Sequence, residues 1–405
     1  MQDPVVERNL RLLVVELFWA AIQIACLSFN AAFLIRLGGS NALVSFLTAG
    51  AALVIALTSV PFAALLDRLP RRRDIVVRSL LCARLLYALV IFVPWLPAGQ
   101  AEAVVGVVLA VNLATSLFSA GWLPAIGDMV PLERRTRLFA ARNLTLGATV
   151  TVTTLVLGWW LERTPFPQNY QLLYALAVVS SLLSSVYVGR LQIPERGVAA
   201  DAARSTITAP ARVPRAFFNI TVNTLVYSIP LWMAVPLQPI YFVRELGAAE
   251  GWLGLWAGLV SGGAILGNLL WQRVIDRRGA AWVLPRAVLL SALYYLLIGT
   301  FPDLNLILLF ALLSGLITPG VELSHINMLF AVCPEERRTA YLGTYTALLN
   351  VIAFLAPLLV APLVELWGAR NAVLLLAAIR LVSAVLFALN PVRLTPEERV
   401  AEATG

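Results

Sequence analysis

Three side chains able to exchange a proton lie inside long apolar runs of this chain: Glu16, Glu322 and His325. An ionisable group in hydrocarbon is costly to keep charged, so one that is retained there takes a proton, pairs with an opposite charge or faces water. Glu322 and His325 are three residues apart and adjacent on one helical face, where they can share a proton. Glu16 lies about two helical turns from the inner end of its run, a depth that also suits a gate residue. All 30 basic residues are Arg. A guanidinium stays charged at any working pH, so proton carriage falls to the acids and to the single histidine.

The elements that must hold these groups are membrane helices. Of 405 residues, 60% are hydrophobic and 13% charged, and the mean hydropathy is +0.84. That leaves too little polar surface to cover an apolar interior in water. The composition points to an all-α integral membrane protein. With roughly 20 apolar residues per bilayer crossing, the chain divides into about twelve crossings. Six fall within 1–190, a polar stretch rich in Ala, Pro, Ser and Arg over 191–214 reads as a cytoplasmic linker, six more fall within 215–392, and 393–405 reads as a cytoplasmic tail. The N-terminal MQDPVVERNLRLLVV, with its acidic polar head and no small-residue cleavage site, reads as a retained first helix.

Charge placement gives orientation. With the N-terminus inside, Arg36, Arg163, Arg244 and Arg370 fall at outer ends and Arg84 and Arg380 within crossings, while the remaining arginines flank the inner ends. This bias places both termini in the cytoplasm. It also accounts for the net charge of +8 without nucleic acid. Arg84 and Arg380 must either snorkel or pair across a helix contact. Cys26, Cys82 and Cys333 are scattered, with neither disulfide nor metal-ligand spacing. No Gly-rich phosphate loop followed by Lys and no ligand cluster is present, so neither enzymatic chemistry, cofactor nor metal is expected.

The chain repeats itself. LLDRLPRRR, Leu65 to Arg73, has a counterpart in VIDRRG, Val274 to Gly279; Leu37-Gly38 and Leu246-Gly247 recur at the offset that separates Asp67 from Asp276. PLERRT, Pro131 to Thr136, recurs as PEERRT, Pro334 to Thr339, at a slightly shorter offset. Three landmarks in one order describe duplicated bundles related by an axis along the membrane normal.

On these motifs the sequence resembles the major facilitator superfamily over nearly its whole length. That family's loop between helices two and three reads Gly-x-x-x-Asp-Arg-x-Gly-Arg-Arg. Asp67, Arg68, Arg71 and Arg72 match it, with Ala63 and Pro70 in place of the glycines; in the second half Asp276, Arg277 and Gly279 match, with Gln272 and Ala280 departing. The resemblance implies two pseudo-symmetric six-helix bundles around a cavity lined by helices 1, 4, 7 and 10, a small-molecule substrate, alternating access and a monomer. It also implies an inner gate built on Asp67, Arg68, Arg71, Asp276 and Arg277, since an acid at a helix end can latch onto a neighbouring helix N-terminus or Arg. Helix 4 lacks the Arg of many proton-coupled members, and Gly147 and Gly158 of helix 5 stand without the Pro of drug antiporters. The stretch from Trp122 to Pro131 loosely resembles macrolide-efflux-like members.

Polar residues line up on the same four helices. They are Gln23 and Asn30 with Glu16, then Asn112, Ser116 and Ser119, then Asn223, Tyr227 and Gln238, and finally Ser314 and Thr318 with Glu322 and His325. Such stripes face protein or a watery cavity rather than lipid. Trp232, Trp252, Trp256 and Trp271 add aromatic surface. The expectation is a multi-pass transporter of the inner or plasma membrane, exporting a hydrophobic or amphipathic small molecule in exchange for protons carried by Glu322 and His325. The alternatives are an uptake porter, an uncoupled facilitator, a lipid flippase, or a non-transporting sensor or scaffold.

Overall fold

The structure, a computed structural model, describes residues 4–68, 72–130, 132–192, 214–333 and 338–389. Arg71, most of the 191–214 linker and the tail lie outside it, as do the side chains of Asp67 and Arg68. Every regular element among the described residues is helical, and twelve helical segments are long and apolar enough to cross a bilayer. In chain order they are spans 1 (Val5–Arg36), 2 (Asn41–Ser59), 3 (Asp74–Trp95), 4 (Gln100–Trp122), 5 (Ala141–Arg163) and 6 (Gln168–Gly189), followed by 7 (Arg215–Glu245), 8 (Glu250–Arg278), 9 (Ala280–Thr300), 10 (Leu304–Val332), 11 (Tyr341–Leu358) and 12 (Val360–Leu389). A helix satisfies each backbone N–H and C=O within its own segment, which is what makes it the viable choice in hydrocarbon for a chain of this composition.

The repeat landmarks have a backbone cause. Gly38 and Gly247 end spans 1 and 7 with φ of 79° and 69°, the left-handed region that a side chain disfavours. Each Leu-Gly pair is therefore a helix terminator placed at the same point of two related bundles.

Packing divides the chain into two compact units, Met1–Ala200 with Phe242–Ser261, and Asp201–Tyr241 with Gly262–Gly405. In the first unit span 1 packs on spans 5 and 6, span 2 on span 4, and span 3 on spans 4 and 6. In the second, span 7 packs on spans 11 and 12, and span 9 on spans 10 and 12. Apart from span 2 on span 4, these pairings are the same ones shifted by six, so the duplication read from short motifs extends to helix packing. Leu13, Leu80, Ile126 and Leu138 lie in the core of the first unit; Phe217, Ile220, Val283 and Tyr345 lie in that of the second.

One boundary differs from the division expected near 191–214: the end of span 7 and the start of span 8 belong with the first unit. Small residues explain the attachment. Gly158 of span 5 and Gly254 of span 8 meet backbone to backbone, and a Cβ on either would lie 2.7 or 2.6 Å from the other's Cα. Beside them, Phe242 is buried and stands edge-on to Trp252 and Trp256, with ring centroids 5.0 and 5.4 Å away. Two of the tryptophans expected to give an aromatic surface are thus packing residues.

Candidate functional site

Span 10 begins at Asp303, whose carboxylate accepts from the backbone N–H of Asn305 and Leu306 and so caps the helix. Pro319 and Gly320 then interrupt the polar face. Pro319 supplies no N–H to the helix, and Gly320 lets the Trp271 indole press against the chain, where a Cβ would meet its ring at 2.6 Å. The indole N–H donates to the Leu316 carbonyl at 2.8 Å. Trp271 therefore packs against the continuous helix just ahead of the two titratable groups.

His325 is held by hydroxyls from two other helices. Its Nε2 lies 3.0 Å from Thr224 Oγ1 of span 7 and 2.9 Å from the Tyr345 hydroxyl of span 11. The Thr224 hydroxyl already donates to the Ile220 carbonyl at 2.7 Å, so towards the ring it accepts. With the ring proton on Nε2 the Thr224 hydroxyl accepts it, and with the proton on Nδ1 the Nε2 lone pair accepts from the Tyr345 hydroxyl. Glu322, three residues earlier, is exposed and forms neither hydrogen bond nor ion pair with any described residue. It lies about 16 Å along the helix from Cys333, well inside a bilayer's depth. A carboxyl group at that depth without a partner takes a proton or faces water. Ser314 and Thr318 are half-buried higher on the same span, and the Thr318 hydroxyl donates to the Ser314 carbonyl at 2.9 Å.

The acid of span 1 has a different setting. Glu16 is buried, with Oε2 3.1 Å from Arg142 Nη1 of span 5 and Oε1 accepting from Ser184 of span 6 at 3.0 Å. Arg142 also donates to the Leu13 carbonyl. This is a fully partnered ion pair joining three helices. The rest of the span-1 stripe is likewise engaged inside the unit. Gln23 accepts from Arg84 of span 3, and Asn30 accepts from the Tyr87 and Tyr174 hydroxyls at 2.8 and 3.1 Å. Span 4 is more open. Ser116 accepts from Thr58 of span 2 at 2.7 Å, Asn112 donates to its own helix at the Val108 carbonyl, and Ser119 is exposed.

Span 7 turns its stripe towards spans 9 and 12. Asn223 is fully buried and donates to the Leu386 carbonyl at 3.3 Å, and Gln238 donates to the Tyr294 hydroxyl at 3.3 Å. The Tyr227 ring lies 3.8 Å from the Arg380 guanidinium. Of the gate residues, Asp276 and Arg277 are exposed at the end of span 8, and Asp276 makes no ion pair among the described residues. The side chains of Asp67 and Arg68, and all of Arg71, fall outside the described residues.

Several partners were absent from the sequence reading. Arg142 counts there only as an inner-end arginine, although pairing each intramembrane acid with a nearby helix-borne Arg would have brought it forward. Thr224, Ser184 and Tyr345 carry no signal beyond being hydroxyls in apolar runs. At the opposite end of the first unit, Arg36 and Glu250 form a two-pronged ion pair, 2.7 Å from Nε to Oε1 and 3.0 Å from Nη2 to Oε2. Arg244 donates beside it to Asn41 and to the Gly39 carbonyl.

Twelve bilayer-length helices in two units that repeat one packing pattern define a polytopic membrane transporter fold, and among the described residues no cluster of three or more His, Cys, Asp or Glu could hold a metal. The Major Facilitator Superfamily model matches residues 13–221 and 220–405, and the chain belongs to that family. It is a secondary-active transporter on the alternating-access fold. No curated protein matches the sequence. Among solved structures, it is similar to a bacterial homologue of the human lysosomal transporter Spinster in an inward-facing, occupied conformation (12% identity, 98% of this chain and 100% of that chain, TM-score 0.74). It is also similar to the nucleoside transporter NupG (12% identity, 96% and 99%, TM-score 0.68) and to a D-xylose–proton symporter (14% identity, 94% and 95%, TM-score 0.68).

Proposed function

We propose that this chain takes up a small amphipathic molecule together with a proton, with Glu322 as the proton carrier and His325 as its neighbouring relay. The observation that carries the proposal is the setting of Glu322: an acid at membrane depth, exposed and without a partner, beside a histidine whose bonded nitrogen is engaged by hydroxyls. Closing the cavity around an ionised Glu322 would strip its water, whereas the protonated form can enter a dehydrated state. Proton binding thereby favours the closing states of the cycle, which couples the ion to the cargo.

Uptake replaces the export expected from the sequence. Its support is the likeness to a D-xylose–proton symporter, with no counterpart in this chain of the Pro-containing drug-antiporter pattern in helix 5. The half-buried Ser314 and Thr318 and the exposed Ser119 serve as wall residues for substrate, while Gln23, Asn30 and Asn223 act through the shape of their bundles. Asp67 with Arg68 and Arg71, and Asp276 with Arg277, form the inner gate of a monomer whose termini are cytoplasmic, and Arg36–Glu250 belongs to the outer side.

The test begins with thermal stabilisation of the purified protein by a compound panel, because a ligand of the folded state raises its melting temperature. Compounds that stabilise are then supplied to proteoliposomes under proton gradients of either sign. Accumulation driven by an inward proton gradient is expected; accumulation only when the gradient points outward from the compound's destination would restore the exporter reading.

A further inference from the structure

The second unit encloses a cation without a matching anion. Arg380 of span 12 is 2% exposed and forms no ion pair among the described residues. Its guanidinium lies 3.8 Å from the Tyr227 ring centroid and 5.4 Å from that of Tyr295. Nη1 donates to Ser291 Oγ at 3.1 Å, while Nε is buried and makes no hydrogen bond. Ser291 thus occupies Nη1 and leaves Nε, which belongs to the Nε–Nη2 side of a guanidinium that meets a carboxylate through two parallel bonds.

The first unit also carries an arginine inside a span, Arg84 of span 3, which is half-buried where Arg380 is enclosed. Arg84 donates to the Gln23 carbonyl oxygen, and its Nε, like that of Arg380, is buried without a hydrogen bond. Arg380 has rings and a hydroxyl in place of an acid. Of the two tyrosines, Tyr295 is buried and Tyr227 half-buried, so Tyr227 is the side from which the cage can be opened. Its ring holds the cation by a weak, geometry-tolerant attraction. A carboxylate would hold it by charge-assisted hydrogen bonds, which are stronger in a dry interior.

We propose that the Nε–Nη2 edge of Arg380 anchors a carboxylate on the transported molecule, with Ser291 positioning the guanidinium and Tyr227 moving aside to admit the acid. A single cation fits one negative charge, and the two aromatic faces fit an apolar body, so the substrate class is an amphipathic monocarboxylic acid. This rests on the reading that the chain carries a small amphipathic molecule. It is independent of whether Glu322 carries a proton.

The experiment uses the purified full-length protein in detergent, with no gradient, and compares phenylacetate with its neutral isostere phenylacetamide by thermal unfolding. Phenylacetate is expected to raise the melting temperature and phenylacetamide to leave it unchanged. Apparent affinity for phenylacetate is expected to fall about tenfold or more in Arg380→Gln, to be partly kept in Arg380→Lys, and to fall about threefold in Ser291→Ala. Equal effects of the two compounds, no effect of phenylacetate, or an unchanged affinity in Arg380→Gln would overturn the proposal. If Arg380→Gln yields no folded protein, Ser291→Ala and Tyr227→Leu decide: phenylacetate affinity unchanged in both is the contradicting result. Loss of proton coupling in Glu322 variants would leave these binding results standing, so the two proposals fail separately.

Discussion

The two units are built on one plan but treat buried charge in opposite ways. In the first, Glu16 is matched by Arg142 and Ser184, and the half-buried Glu7 by Arg134 at the start of the helix that carries span 5. In the second, Glu322 has no partner among the described residues, the His325 Nε2 lies against two hydroxyls, and Arg380 rests on tyrosine rings and donates to Ser291. A matched ion pair that joins three helices is a fastening, because breaking it strands a charge. An unmatched ionisable group in the same environment is poised to bind something. On the function proposed above, the charges of the first unit serve stability and those of the second the transport chemistry.

The sharpest way to break that contrast is to remove one partner of the buried pair. Glu16→Ala or Arg142→Ala is expected to destabilise the protein by about 3–5 kcal/mol, the usual effect of stranding a buried charge. Thermal unfolding in detergent measures it, and a melting temperature unchanged from wild type would remove the structural role. Glu322→Gln, by the same measurement, is expected to shift stability by less than about 0.5 kcal/mol, as for a substitution away from any partner.

Much of the architecture was legible beforehand, for physical reasons. Run length and polarity reveal a membrane helix because the bilayer sets both. The Leu37-Gly38 and Leu246-Gly247 repeat was legible because a left-handed terminator favours glycine in both copies. Helical spacing identifies a face but not the neighbour it meets. Glu16, Gln23 and Asn30, seven apart, share a face that the structure turns to spans 3, 5 and 6. Likewise, Arg142 is 126 residues from Glu16 and sits where an orientation bias already accounts for arginines. Transport direction has no residue-level signature in the chain, and the expectation of export had nothing positional to rest on.

Smaller effects sharpen the comparison at the junction of span 5 with span 8. Gly158→Leu or Gly254→Leu places a side chain where a Cβ alone would lie within 2.7 Å of backbone. Either variant is expected to lower the uptake rate about tenfold by preventing the close approach, at a loss of about 1–3 kcal/mol as for overpacking. Rates in proteoliposomes and melting temperatures measure the two effects. The smallest change is expected from Arg36→Gln, since the Arg36 side chain is 44% exposed and such a pair is worth about 1 kcal/mol or less. The charge swap Arg36→Glu with Glu250→Arg is expected to restore whatever the single variants lose. Cross-linking of introduced cysteines at the ends of spans 1 and 8 would read that restoration.

The most direct test of the division of labour compares proton-driven uptake with gradient-free counterflow in Glu322→Gln, using a compound that stabilises the wild-type protein. Loss of gradient stimulation with counterflow kept within about twofold of wild type is the predicted result, because only the coupling step requires the titratable carboxyl. Full gradient stimulation in Glu322→Gln would contradict the account and return the proton to another group.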